Sequence, residues 1–269
     1  MSRGRTAAAI NLLSIGSFLG LWQLVVWALG IPNYLLPTPW EIILSILRDR
    51  ALLADHLRVT LIETSVGLAL ATGVGLLVAA FMYRFKFSGE VIYPYLVLSQ
   101  AIPLIAIAPL ILIWFGLGIT AKIIIVSFVC FFPIGVNAYE GFRNVDKGML
   151  DLMETMDASR WQKYRHLIIP ASLPGIFAGL KIAATYSVLG AVIGEWLGGV
   201  KGMGIYMTRA LTSFQTDKLF GAIVLVMLAS FAFFKLVDWV SARVTPWTKE
   251  EGKYVQRESQ QPRSKGRGL

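Results

Sequence analysis

Six stretches of the chain are apolar almost without interruption: 8–29, 60–83, 93–115, 121–139, 176–197 and 219–240. Each is close to the ~20 residues that a helix rising 1.5 Å per residue needs to cross a hydrocarbon layer of ~30 Å. None alternates with the period of a strand. The pattern predicts an all-α membrane protein with six transmembrane helices. Arg3 and Arg5 precede the first stretch, as they would in a secretion signal. Its apolar run is longer than a signal core and no small-x-small site ends it, so it reads as a retained span.

The segments between the spans are unequal. Leu36-Pro37-Thr38-Pro39-Trp40-Glu41 follows the first span. Proline fixes φ and biases the preceding residue to extended backbone, so this stretch enters a new helix, expected over 41–53 on the outer surface. The longest intervening loop is 140–174, between the fourth and fifth spans, and it has helical periodicity of its own. Residues 1–9 form a short cytoplasmic N-terminal tail, 10–247 the membrane domain, and 248–269 a polar, charged tail expected to be disordered.

Composition agrees with this reading. Apolar residues make up 56% of the chain and charged residues 15%, against ~25% charged in soluble domains. A soluble fold of this size cannot bury so much apolar surface. The net charge is +9, and many positive charges sit between apolar runs and in the C-terminal tail. That is the signature of membrane topology rather than of nucleic-acid binding. With the N-terminus inside, sixteen Lys and Arg residues fall on the cytoplasmic side and seven outside. The bias places both termini in the cytoplasm.

Bond-making chemistry is not encoded in any recognisable form. Cys130 is the one cysteine, and His56 and His166 are far apart, so neither a disulfide framework nor a metal site is expected. There is no phosphate-binding Gly-x-x-x-x-Gly-Lys motif, no nucleophile elbow and no helical His-Glu-x-x-His. No cofactor and no catalytic residue is assigned. If ATP drives the protein, its hydrolysis belongs to another chain.

The spans carry path-forming candidates instead. Gly175 and Gly179, then Gly190, Gly194 and Gly198, recur every four residues and form smooth helical stripes. Such stripes admit another backbone, for packing or to line a path. Gly16 and Gly20 in the first span read as packing positions. Pro94, Pro103, Pro109 and Pro133 predict kinks in the third and fourth spans. Ser99, Gln100 and Tyr186 bring polar groups into spans, for interhelical hydrogen bonds or a substrate path. Glu63 and Glu195 lie near the outer ends of their spans. Counted from Pro174, Glu195 is about one bilayer thickness along its helix, which places it at the outer interface, where an acid costs little. The translocation-path candidates are therefore Ser99, Gln100, Tyr186, Gly190, Gly194 and Glu195.

In the long loop, Leu150, Met153, Met156, Trp161 and Tyr164 are spaced for one apolar face. Asp157-Ala158-Ser159 predicts a turn, with Ser159 capping a helix from Arg160 that Pro170 and Pro174 end. Two short helices meeting at a bend fit a docking surface for a partner, or an amphipathic pair lying on lipid.

At this point the chain resembles the membrane permease of an ATP-binding-cassette importer, in the nitrate, sulfonate and taurine branch. The signature there is a cytoplasmic Glu-Ala-Ala, three residues, Gly, nine residues and Ile-x-Leu-Pro. Asp151-Leu152-Met153, Asp157 and Leu167-Ile168-Ile169-Pro170 keep its spacing but not its Glu-Ala-Ala or Gly letters. Pro103-Leu104-Ile105-Ala106-Ile107-Ala108-Pro109, Trp114-Phe115-Gly116 and the run from Ala171 to Leu180 are similar to the branch as well. The resemblance implies a type I permease fold and a bacterial plasma-membrane protein working as a homodimer in lipid. It implies cassette ATPase subunits docked on Asp151, Leu152, Met153, Glu154, Met156, Asp157, Ala158, Ser159, Arg160 and Lys163. An extracytoplasmic substrate-binding protein would deliver the solute. The stretch Thr185-Tyr186-Ser187 to Gly194-Glu195-Trp196, with Gly202-Met203-Gly204, resembles the subgroup importing thiamin pyrimidine precursors, hydroxymethylpyrimidine or a formylaminopyrimidine. Sulfonate, nitrate and taurine are the alternatives within the branch.

A secondary transporter would show internal repeats and midplane ionisable groups, and a membrane enzyme would show convergent acids and histidines at one face. The sequence shows neither clearly. The orientation is testable. In Ser213→Cys the new thiol is expected to label from outside intact cells. In Lys163→Cys it is expected to label only after permeabilisation, and labelling of intact cells there would reverse the topology.

Overall fold

The computed structural model describes residues 2–248. The expected polar tail, 248–269, falls outside the described residues apart from Thr248. Every regular element among the described residues is helical: α1 (Ser2–Leu29), α2 (Pro39–Arg48), α3 (Arg50–Arg84), α4 (Lys86–Ser99), α5 (Leu104–Phe115), α6 (Ile119–Arg143), α7 (Lys147–Thr155), α8 (Arg160–Lys163), a π-turn over Tyr164–Ile168, α9 (Ile169–Gly198), α10 (Met203–Thr212) and α11 (Thr216–Val244).

Four of the six expected spans are found as single helices, with changes in extent. α3, α6, the continuous helical run Arg160–Gly198 and α11 are each long and apolar enough to cross a membrane. The third expected span, 93–115, is not one helix. It breaks after Ser99 into α4 and α5, and counts as a fifth crossing only as a bent pair. Pro103 supplies no backbone N–H and takes extended backbone (ψ 119°) at the start of α5, while Gln100, Ala101 and Ile102 make tight turns back to α4. Pro94 and Pro109, by contrast, lie inside their helices. The apolar part of α1, Leu13–Leu29, is shorter than the others.

Local signals explain the helix starts. Thr38 and Glu41 form a capping box, with Pro39 in the first position of α2. α2 ends at Arg48, earlier than expected, and Asp49 occupies the junction with α3. There Asp49 accepts a hydrogen bond from Tyr206 Oη at 2.9 Å and pairs with Lys218 at 3.1 Å. Burial opposes its charge, but these two partners outweigh burial and hold the carboxyl below its ordinary range.

The chain divides into two compact units. The first holds the residues up to Leu68, Pro103–Ser127 and Ser187–Phe231; the second holds Ala69–Ile102, Phe128–Tyr186 and the residues from Ala232 on. α3, α6, α9 and α11 contribute to both. The core of the first unit includes Leu53, Val192, Met203, Tyr206 and Ala222, with a second cluster of Ala108, Ile111, Leu112, Ala121 and Ile125. The second unit is built around Met82, Phe132, Val136, Tyr139, Phe142 and Ile168. Lys181 and Asp238, both on spans of the second unit, pair at 2.7 Å, which offsets the cost of placing charge there.

Within each unit α9 lies against α6 at glycine positions. In the first unit, a methyl at Gly190 would meet Val126 Cα at 3.4 Å, and one at Gly194 would meet Ile125 at 3.2 Å. In the second unit, a methyl at Gly175 would stand 3.1 Å from the Asn137 carbonyl, and one at Gly179 only 2.6 Å from that of Pro133. Gly141 of α6 reciprocates, 2.9 Å from the Ser172 carbonyl. Gly16 and Gly20 differ. A methyl at either would meet no atom of another described residue within 4 Å outside its own helix backbone, so neither marks such an approach among the described residues. The expected consequence is specific. Gly179→Leu forces side-chain atoms into backbone and should cost ~1–3 kcal/mol or more. Thermal unfolding of the purified permease should register the loss, while Gly16→Leu should leave the midpoint unchanged.

Candidate functional site

The long loop folds as two helical pieces around a tight turn. Asp146 caps α7 through a hydrogen bond from Met149 N–H at 3.2 Å. Asp157 takes a left-handed backbone (φ 53°), and Ser159 then caps α8 in a full capping box with Gln162. Lys163 returns to α7 and pairs with Glu154 at 3.1 Å. The expected turn and cap are therefore present. The expected ending at Pro170 and Pro174 is not. Both prolines lie in the first turns of α9 (Ile169–Gly198), and the π-turn over Tyr164–Ile168 joins α8 to it. Ile169 N–H bonds to the Tyr164 carbonyl, five residues back. A proline can donate no helical bond, and the wider turn absorbs that gap without stopping the helix.

The single apolar face expected of the loop splits in two. Leu150, Tyr164 and Leu167 pack against the core of the second unit, beside Val145 and Ile168. Met149, Leu152, Met156 and Trp161 face outward, with Met156 72% and Trp161 68% exposed. Met153 stands between the two sets. It lines a cleft of about 270 Å³ with Met156, Asp157, Ala158, Gln162 and His166. Asp151, Glu154, Ser159 and Arg160 are exposed around it. Burial separates residues that the sequence spacing grouped together, and it adds Trp161 to the outward set.

The candidate path residues fall in both units: Ser99, Gln100 and Tyr186 in the second, Gly190, Gly194 and Glu195 in the first. Ser99 Oγ donates to the Tyr95 carbonyl of its own helix at 2.6 Å, so it makes no interhelical bond. Gln100 is exposed at the break after α4, and Tyr186 is exposed on α9. Gly190, Gly194 and Glu195 are instead buried in the first unit. Glu195 departs most from expectation. It has 0% exposure, so it is not an acid resting at a wet interface.

Glu195 holds the start of α10, an element that sequence periodicity missed. Gly204 N–H donates to Glu195 Oε2 at 2.7 Å, and Thr60 Oγ1 donates to Oε1 at 2.6 Å. Thr60 Oγ1 in turn accepts from Met203 N–H at 2.9 Å. His56 Nδ1 lies 3.1 Å from Gly202 N and 2.7 Å from Gly202 O. Groups from α3 and α9 thus satisfy backbone donors that a helix start leaves open. The negative end of the arrangement faces the positive end of the helix dipole. Gly202 is obligatory here. Its φ is +127°, and a Cβ would fall 2.1 Å from the Glu195 carboxyl carbon. Gly202→Ala should therefore cost ~1–3 kcal/mol in backbone strain, with the steric clash added. Unfolding of the detergent-solubilised protein should move to lower temperature by the corresponding amount, and an unchanged midpoint would show that α10 is not held this way.

Residues 71–249 match the family described as the binding-protein-dependent transport system inner membrane component. A probable ABC transporter permease of Haemophilus influenzae is 35% identical over 86% of this chain and 95% of its own length. The formylaminopyrimidine transport permease protein ThiX of Halalkalibacterium halodurans is also 35% identical, over 86% of this chain and 92% of its own. Among solved structures, the MetNI methionine ABC transporter aligns with a TM-score of 0.62 at 18% identity, covering 74% of this chain and 98% of the matched one. That likeness establishes the type I permease fold. These relatives are translocation components and not enzymes. The chain belongs to the inner-membrane permease family of binding-protein-dependent ABC transport systems, and is a multi-pass permease subunit of an ABC importer.

Proposed function

We propose that this permease carries a thiamin pyrimidine precursor, hydroxymethylpyrimidine or a formylaminopyrimidine, across the bacterial plasma membrane. It works as a homodimer in lipid with both termini in the cytoplasm. An extracytoplasmic binding protein delivers the solute, and cassette ATPase subunits dock on the loop from Asp151 to Lys163. The substrate assignment rests on the 35% identity with the formylaminopyrimidine permease over nearly the whole of both chains. The coupling assignment rests on one observation: the loop exposes Leu152, Met156 and Trp161 while its other face is fixed in the core by Leu150, Tyr164 and Leu167.

This division suits force transmission. Exposed apolar side chains at a bend offer anchors for a partner. The inward residues make the loop move with the unit it packs on. α8 runs through the π-turn into α9 without a break, so a push on the bend is delivered along a span rather than absorbed in a hinge. Closure of an ATP-bound nucleotide dimer then shifts α9 and alternates access to the path. The permease itself breaks no bond.

Two measurements test the proposal. Purified permease with its ATPase and binding protein, in vesicles, should take up labelled hydroxymethylpyrimidine or formylaminopyrimidine only with ATP; uptake of taurine or a sulfonate alone would reassign the substrate. Met153→Ala with Met156→Ala should weaken ATPase co-purification, since central apolar anchors contribute ~2 kcal/mol or more each where they are hot spots. Substrate-stimulated ATP hydrolysis should fall with it. Membrane insertion should be unaffected, because both residues lie outside the spans. Full retention of both activities in the double variant would remove the loop from the interface.

A further inference from the structure

The first unit holds a polar cleft of about 130 Å³ between the α2–α3 junction, α10 and the turn that leads into α11. Small-molecule sites begin near ~300 Å³, so the cleft is too small for a whole solute and suits one side-chain-sized group. Its rim is fixed in advance. Ser213 N–H and Gln215 N–H bond to the Arg209 and Ala210 carbonyls at 3.1 and 2.9 Å, which holds the turn after α10.

Charge decides what that group must be. Asp49 is the one acid lining the cleft, and it is already engaged. Its Oδ2 takes both the Tyr206 hydroxyl at 2.9 Å and the Lys218 ammonium at 3.1 Å. Arg209 is left over. Its Nη2 donates to the Val200 carbonyl at 3.3 Å, and it pairs with no acid among the described residues. A guanidinium has five N–H donors in a planar fork, so most of this capacity is unused. His56 adds a buried donor. It lines the cleft at 3% exposure, with Nδ1 engaged at Gly202 and Nε2 without a partner among the described residues. In the tautomer whose Nδ1 accepts from Gly202 N–H, the ring proton is on Nε2. The surroundings are positive as well. Arg48, Arg50 and Arg58 are exposed and pair with no acid among the described residues, while Asp55 is taken by Lys201 at 2.7 Å. Asp217 lies in the first turn of α11, where the helix N-terminus compensates its charge.

We propose that the cleft is a carboxylate-binding site, with Arg209 supplying the charge and His56 Nε2, Ser213 and Gln215 the hydrogen bonds. A carboxylate matches it in size and sign, and its two oxygens suit the guanidinium fork. The Asp49–Lys218 pair does not have to open to admit it. Two sources carry this chemistry: a small free carboxylate, and an acidic side chain on the binding protein that delivers the solute. The second source rests on the delivery step proposed above and on the outward placement of α10.

Two arms on the full-length permease in phosphatidylcholine nanodiscs separate these sources. In the first, acetate replaces chloride at constant ionic strength. A saturable rise in the thermal midpoint of the native protein, absent in Arg209→Gln, identifies a site open to free carboxylates. In the second, solute-loaded binding protein is titrated onto the nanodiscs. If the ligand is a side chain, Arg209→Gln should weaken that complex ~10-fold or more, and Arg209→Lys, which keeps the charge but not the fork, should fall between. Arg209 is exposed, so both variants should fold, and their midpoints in chloride check this. Either effect supports the site and names its source. Acetate acting equally on native protein and Arg209→Gln, together with undiminished affinity of that variant for the binding protein, would overturn it. If native permease forms no complex with the binding protein, the delivery step fails by itself and the acetate arm decides the site.

Discussion

The close backbone approach of α9 to α6 is the constraint on which the other features depend. In lipid the apolar environment outside a helix is as favourable as that between helices, so spans associate through packing detail rather than hydrophobic burial. Side chains are therefore removed where contact is needed. Gly190 and Gly194 do this against Val126, Ile125 and Lys122; Gly175 and Gly179 do it against Asn137 and Pro133. With α9 fixed along α6, the residues it carries acquire defined partners. Lys122 and Gly194 are brought to one place by this contact, and so are Ser172 and Gly141.

The same helix connects the loop to the membrane domain. Its second loop helix is only Arg160–Lys163, too short to be stable alone. It persists because Ser159 and Gln162 cap it and because the π-turn continues it into thirty residues of α9. The coupling role proposed for the bend requires a rigid exit and a fixed back face, and Tyr164 and Leu167 pack in the core as such a face would. The exposed residues on the other face, Leu152, Met156 and Trp161, would gain nothing from water and are free to meet a partner.

Much of this was legible in the sequence. Helical spans, capping signals and loop spacing are local properties, read from apolar run lengths and from Thr38-Pro39-Trp40-Glu41 or Ser159-Arg160-Trp161-Gln162. Family membership was legible for a related reason: the motifs of the loop and of the fifth span are short and contiguous. The prolines act in two ways. At Pro103 the expected kink is a full break between α4 and α5, whereas at Pro170 and Pro174 a helix expected to end continues. One proline gives the same local signal in both cases, and the neighbouring turns decide whether the chain bends or re-forms its bonds.

By itself, then, the sequence determined what depends on neighbours along the chain: the all-helical membrane class, the positions of four spans and the turn at Asp157. Only the tertiary structure decided which face of the loop is buried, that Glu195 is sealed rather than wet, and that Thr60 and His56 share its surroundings. Thr60 and Glu195 are 135 residues apart and meet at 2.6 Å. A polar side chain within a span carries no local mark of its partner. Whether its burial is tolerable depends on donors and counter-charges supplied by other helices, and packing alone brings those into reach.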